Sequence, residues 1–220
     1  MTILEVYEKY KIMPNLAEHQ LRVAAAASQI LDNLSPSPSP YKERGNVVLA
    51  CLLHDIGNII KFDLSKSKNL LNVDLDLDYW QKVKSEFVKK YGEDEHIASV
   101  AIARELGVSD RVLELVDCVG FSQAEGNLES GDLGKQICAY ADMRVNPGGV
   151  VGMEERFKDL RVRYANRTIE WGGQDKRDVY EKNLRAIEQE IFTKCKILPG
   201  DITEEKVRPI MLELKSFKIN

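Results

Sequence analysis

Apolar positions recur along most of the chain at steps of three and four, the spacing of one face of an α-helix. Over residues 15–34 the stripe runs through Leu16, Val23, Ala26, Ala27, Ile30 and Leu34, and Asn15 with Glu18 three residues on reads as a capping box just after Pro14. Residues 35–40 are a Ser-Pro repeat, which cannot continue a helix, so a loop is expected there. A second helix is predicted over about residues 42–60. Leu and Asp alternate between Asp63 and Asp78, but the stretch is short and acidic and reads as an irregular connection rather than a strand. Helices follow at about 78–91, 93–106 and 109–119, with Gly92 and Gly107 as C-terminal stops. After a Gly/Ser/Asn-rich loop at 122–131, helices at 132–144 and 153–165 flank Pro147-Gly148-Gly149. The amphipathic stretch 175–194 and a last helix at 203–216 are separated by Pro199-Gly200. No repeat and no second domain is visible. The pattern predicts an all-α fold in one domain, residues 1–220.

Composition narrows the setting. The 220 residues hold 31 Lys+Arg against 35 Asp+Glu, a formal charge of −4, with 44% hydrophobic and 30% charged residues. A chain so composed folds around a core, which excludes a wholly disordered protein. It has no block of like charge to release counterions, so no stable nucleic-acid binding is expected. No apolar run approaches the roughly 18–20 residues of a membrane span, and Glu5 and Glu8 are unlike a secretory signal. A soluble, cytoplasmic protein without membrane attachment is therefore expected. Cys51, Cys118, Cys138 and Cys195 lie far apart in apolar segments with no Cys-x-x-Cys, which excludes a zinc knuckle or thioredoxin motif. They read as buried free thiols in a reducing compartment.

Candidate chemistry centres on the three histidines, each in step with an apolar stripe. His19 matches Leu16, Val23 and Ala26; His54 follows Val47 and Cys51; His96 precedes Val100 and Ala103. A lone histidine on such a face is ordinarily a satisfied core residue. Three of them, one directly followed by Asp55, point further, because a carboxylate at the apolar end of a helix is costly to bury unless something neutralises it. A mixed imidazole–carboxylate set suits a divalent metal such as Mn, Fe, Ni, Co, Mg or Zn.

Three segments carry a resemblance: Glu18-His19-Gln20-Leu21-Arg22-Val23-Ala24, Ala50-Cys51-Leu52-Leu53-His54-Asp55-Ile56-Gly57 and Ala139-Tyr140-Ala141-Asp142-Met143. Together they resemble the signature of the HD-domain metal-dependent phosphohydrolases, in which His…His-Asp…Asp supplies metal ligands from separate helices of an all-α bundle. The resemblance covers roughly residues 16–145. It implies an HD-like core at about 15–146 with a C-terminal helical extension at about 150–220. It also implies His19, His54, Asp55 and Asp142 as ligands of a divalent ion, one per chain. The activity implied is hydrolysis of a small phosphorylated substrate, a nucleotide or similar, by metal-activated water, with Asp55 also in the catalytic set. Cationic side chains then steady the transition state: Arg22, one turn beyond His19; Lys61, one turn beyond the His-Asp helix; and Arg144, two residues past Asp142. Each also reads as a solvated surface cation.

The chain departs from these relatives in two places. Where nucleotidase members carry His-Asp-x-x-Glu, this chain has Asn58, which exchanges no proton at neutral pH. His96, in Glu95-His96-Ile97-Ala98-Ser99-Val100-Ala101, resembles the first of the extra histidines that hold a second metal in members acting on cyclic dinucleotides. The next would fall within residues 116–122, where Asp117 stands but no histidine does. One metal, with His96 as a phosphate contact or proton donor, fits better, against the plain reading of a helix-start histidine near Glu93, Asp94 and Glu95. Asn58 favours the alternative, a non-catalytic metal-binding HD module for ligand sensing or protein interaction. A lyase or oxygenase on the same scaffold is a third reading. Weaker features have structural readings beside functional ones: Phe121-Ser122-Gln123 with Gly126, Gly131 and Gly134 as a flexible connection or a substrate-side loop closing over the metal, and Glu170-Trp171-Gly172-Gly173 as a turn or lid. Arg156, Arg161, Arg163, Arg167 and Arg177, set among Glu154, Glu155, Asp159 and Glu170, read as a solvated helix face. The helices beyond Lys176 read as cover for the bundle or a contact in a homo-oligomer.

Overall fold

A capping box at the very start opens the first helix. In the computed structural model, which describes residues 1–35, 41–64, 76–165 and 173–219, Thr2 accepts from the Glu5 backbone N–H while Glu5 reaches back to the Thr2 N–H. The resulting helix, α1 (Ile3–Lys9), has no counterpart in the sequence prediction. Helix α2 (Pro14–Asp32) starts one residue earlier than predicted. Pro14 takes the first helical position, where its missing N–H costs nothing, so Met13 is the cap and the Asn15–Glu18 box is not formed. Residues 21–28 of α2 are buried on every side, the mark of a central helix.

Helix α3 (Tyr41–Leu53) packs along α2 and stops at Leu53 rather than running on to residue 60. A turn at 54–57 leads into a short 3-10 turn, Asn58–Lys61. Next come α4 (Leu77–Tyr91), α5 (Glu95–Glu105), α6 (Asp110–Asp117), α7 (Ala124–Glu129) and α8 (Leu133–Asp142). Gly92 ends α4 at φ 90°, a left-handed conformation that favours glycine. The predicted loop at 122–131 is instead a 3-10 turn running into α7, whose buried Asn127 donates to the Cys118 carbonyl at 2.8 Å. A two-residue hairpin, β1 (Val145–Asn146) with β2 (Gly149–Val150), turns on Pro147-Gly148 and leads to α9 (Met153–Arg163), α10 (Gln174–Phe192) and α11 (Glu204–Leu214).

The fold is all-α apart from this hairpin. Helices α2, α3 and α8 pack on one another at the centre, with α6 against α3 and α5 against α6 and the 3-10 turn. Helix α10 covers α7 and α8, and α11 covers α2, so the C-terminal helices serve as cover. No helix among the described residues is long and apolar enough to cross a membrane. Cys51, Cys118 and Cys138 are buried and Cys195 is partly exposed, all as free thiols. Residues 36–40, most of the 63–78 stretch and Glu170-Trp171-Gly172 lie outside the described residues.

Candidate metal centre

The ends of three packed helices converge on one point. His19 comes from the second turn of α2, His54 and Asp55 from the turn just after α3, and Asp142 is the last residue of α8. His19 Nε2 stands 3.1 Å from Asp142 Oδ1 and 3.6 Å from Asp55 Oδ2. His54 Nε2 stands 3.5 Å from Asp142 Oδ1 and 3.7 Å from Asp55 Oδ2. His19, His54 and Asp55 each offer a ligand atom within 4.8 Å of the others, and Asp142 closes on both imidazoles. Donors held about 2.1 Å from one ion stand about 3.0–3.4 Å apart, so these separations suit a shared divalent cation.

His54 carries the clearest sign of a missing partner. Its Nδ1 lies 2.8 Å from the Cys51 carbonyl, which accepts only from an Nδ1–H and so turns the Nε2 lone pair toward the carboxylates. That Nε2 is buried and has no hydrogen-bond partner among the described residues. Both carboxylates lie at the C-terminal ends of their helices, where the helix dipole disfavours negative charge. Burial works against a charge on His54, but Asp55 and then Asp142 override it and push the imidazole up to about 9. Burial likewise works to raise Asp142, and the neighbouring His19 and His54 imidazoles instead hold its carboxyl well below the usual range. The cluster thus calls for positive charge, and the two imidazoles with two carboxylates fit a divalent transition metal.

Of the cations expected from sequence, Lys61 feels the charges of Asp55 and Asp142 in this cluster. Its ammonium lies 3.6 Å from Glu95 Oε1; burial works to lower its pKa, but the charges of Asp55, Tyr164, Glu95 and Asp142 hold it raised. Arg22 does not present a free guanidinium. Its Nε lies 2.9 Å from Glu204 Oε2, and its Nη2 donates to Glu204 Oε1 at 3.0 Å and Glu18 Oε1 at 2.6 Å, tying α2 to the start of α11. Arg144 is a buried staple, not a surface cation, donating to the carbonyls of Val151, Pro199 and Ile202 and to the Tyr140 hydroxyl. His96 stands 3.0 Å from Asp117, the carboxylate singled out in the sequence, at the start of α5.

Two features escaped sequence reading. A Cβ on Gly57 would come within 2.6 Å of the Glu95 carbonyl and 2.8 Å of the Ser99 nitrogen, while the Gly57 N–H donates to Ser99 Oγ at 3.0 Å. Only glycine lets the His-Asp turn rest on α5 so closely. The arginine stretch is also not a solvated face throughout: Arg156 and Arg177 are buried. Arg163, at the end of α9, is held raised mainly by its bond to Asp159, against burial, and the Asp142 charge acts on it too. Charge alternation hid this, because a paired, inward-facing stripe has the same sequence pattern as an exposed one.

The family model described as "HD domain" matches residues 16–143, more than half of the chain and the span that holds all four converging residues. No curated protein and no solved structure matches.

Proposed function

The chain belongs to the HD-domain family, and from that premise we propose that it hydrolyses a phosphate ester, a nucleotide or another small phosphorylated molecule, at the His19–His54–Asp55–Asp142 cluster. The observation that carries this reading is the buried, partnerless Nε2 of His54, aimed with His19 at two carboxylates on the negative ends of two helices. His19, His54, Asp55 and Asp142 would hold one divalent ion per chain, which would supply a water of lowered pKa and Lewis acidity toward a phosphoryl oxygen. The chain's own groups do the rest. The Cys51 carbonyl fixes the His54 tautomer, and Gly57 lets the turn seat on α5. Lys61 supplies positive charge beside the cluster for the anionic substrate and its transition state. His96, oriented by Asp117, is the proton donor in this reading, since Asn58 is buried and exchanges no proton. Arg22 serves by anchoring α2, and so His19, to α11. Buried free thiols agree with a cytoplasmic setting.

Asn58 also favours a second reading, a metal-binding module without turnover that senses a ligand. Phosphate release from a panel of nucleotides and sugar phosphates, with Mn, Co or Ni supplied, separates the two. Hydrolysis in the wild type, lowered about a thousandfold or more by Asp55→Ala with helix content unchanged, supports the enzyme. Metal bound without release of phosphate from any member of the panel supports the module.

A further inference from the structure

We propose that a polar cavity between the last turn of α6 and the first turn of α8 binds a small zwitterion, an amino acid held at once by its ammonium and its carboxylate. The site is separate from the metal centre, and the proposal does not rest on the phosphohydrolase reading.

The cavity measures about 250 Å³. Helix α6 gives it Glu114, Asp117 and the capping Cys118; the 3-10 turn gives Gln123, α7 gives Asn127 and α8 gives Lys135. The Cys118 Sγ lies 3.8 Å from the Lys135 carbonyl, so the ends of α6 and α8 meet here. Lys135 stands two turns before Asp142 on α8, about 10 Å along the helix axis from the metal ligand.

Charge around the cavity is divided. Glu114 and Asp117 lie in the last turn of α6, where the helix dipole adds to their negative charge. Each has one oxygen engaged: Glu114 Oε2 accepts from Arg111 at 3.3 Å, and Asp117 Oδ1 accepts from His96 at 3.0 Å. The other oxygen of each has no hydrogen-bond partner among the described residues. Lys135 brings the opposite charge, and its ammonium has no ion-pair partner among the described residues.

Asn127 is the sign of a ligand. It is 4% exposed, and its Nδ2 is spent on the Cys118 carbonyl at 2.8 Å, a bond that fixes the amide and leaves Oδ1 for the cavity it lines. That oxygen accepts nothing among the described residues, and an acceptor sunk so far calls for a donor.

An ammonium group carries three donors, enough for Asn127 Oδ1 and the second oxygens of Glu114 and Asp117. Lys135 then takes the carboxylate of the same molecule, and Gln123 offers an amide to its body. A metal cation would meet the charge of Lys135, and a lone anion would meet two carboxylates. The volume is below the roughly 300–1,000 Å³ of sites for drug-sized ligands, which suits a molecule the size of a small amino acid. Asp117 belongs both to the cavity and to the His96 pair, so an occupant is felt at His96.

The test is an NMR titration of the isotope-labelled full-length protein with L-serine, ethylamine and propionate. L-serine is expected to shift the Asn127 and Lys135 amides and the His96 imidazole, and to leave His19 and His54 unmoved. It should saturate at a concentration about tenfold or more below that of either half-molecule. Lys135→Gln should weaken L-serine about tenfold without changing ethylamine, whereas Glu114→Gln should weaken both. An otherwise unchanged amide spectrum shows that each variant is folded. The proposal is overturned by L-serine giving no saturable shift, or shifts centred on His19 and His54. Saturation by ethylamine or magnesium as tight as by L-serine overturns it too, as does either variant binding L-serine like wild type.

Discussion

Helices α3 and α8 lie side by side, and their two ends treat charge in opposite ways. At the N-terminal end, Glu43 in the first turn of α3 and Asp132, the N-cap of α8, share one cation. Arg111 Nη2 donates to Glu43 Oε1 at 2.6 Å and Nη1 to Asp132 Oδ2 at 2.7 Å. Acids belong at helix N-termini, and Asp132 also accepts from the Lys135 N–H. At the C-terminal end, Asp55 and Asp142 stand where the dipole disfavours them, beside two imidazoles of which one keeps a buried nitrogen partnerless. The first cluster is closed within the chain and is architecture. The second is left open, with ligand types that suit a metal, as the proposed binding site requires. Charge clustering alone does not separate the two; completeness of pairing and position along the helix dipole do.

The contrast predicts that damage at one end stays at that end. The largest structural effect should come from Gly57→Ala, which forces the His-Asp turn off the Glu95 and Ser99 backbone. A loss of about 2–3 kcal/mol is expected, seen as a lower urea midpoint, together with weakened metal binding in a chelator competition. Arg111→Ala should cost about 1–3 kcal/mol, because it leaves Glu43 and Asp132 facing each other without their cation. Metal stoichiometry should nevertheless stay at the wild-type value; a loss of metal in this variant would break the separation of the two ends.

The smallest effect is a matter of pH. Arg111, opposed by burial, holds the Asp132 carboxyl below its ordinary value. A carboxyl depressed in the folded state contributes stability above its unfolded pKa of about 3.9, and that contribution is lost as pH falls through the folded value. Urea midpoints measured from pH 7 down to 3 should therefore fall less steeply below about pH 4 in Arg111→Ala than in wild type. Parallel acid limbs would remove Asp132 from the stabilising account.

Much of the bundle was legible because it rests on local periodicity. The buried stripe of α2 and the stops at Gly92 and Gly107 needed no partner to be seen. The errors arose where a partner decides. Asn127 makes α7 part of the core by reaching back to Cys118, which composition rich in Gly and Asn concealed. Pro14 displaced the cap to Met13, and α3 ended early because the His-Asp turn is held by α5, some forty residues on. The converging His19, His54, Asp55 and Asp142 were readable as an ordered set that resembles a family signature. The roles of Arg22 and Arg144 were not, since a cation beside a ligand looks the same in sequence whether a distant carboxylate or carbonyl has already claimed it.

The central claim is that the open end of α3 and α8 holds a divalent metal. It is tested most directly by elemental analysis of protein purified without chelator, wild type beside His54→Ala. About one transition-metal ion per chain in wild type, lost in the variant while helix content is kept, is the predicted result. Wild-type protein that carries no metal and takes up none when Mn, Co or Ni is supplied would contradict it.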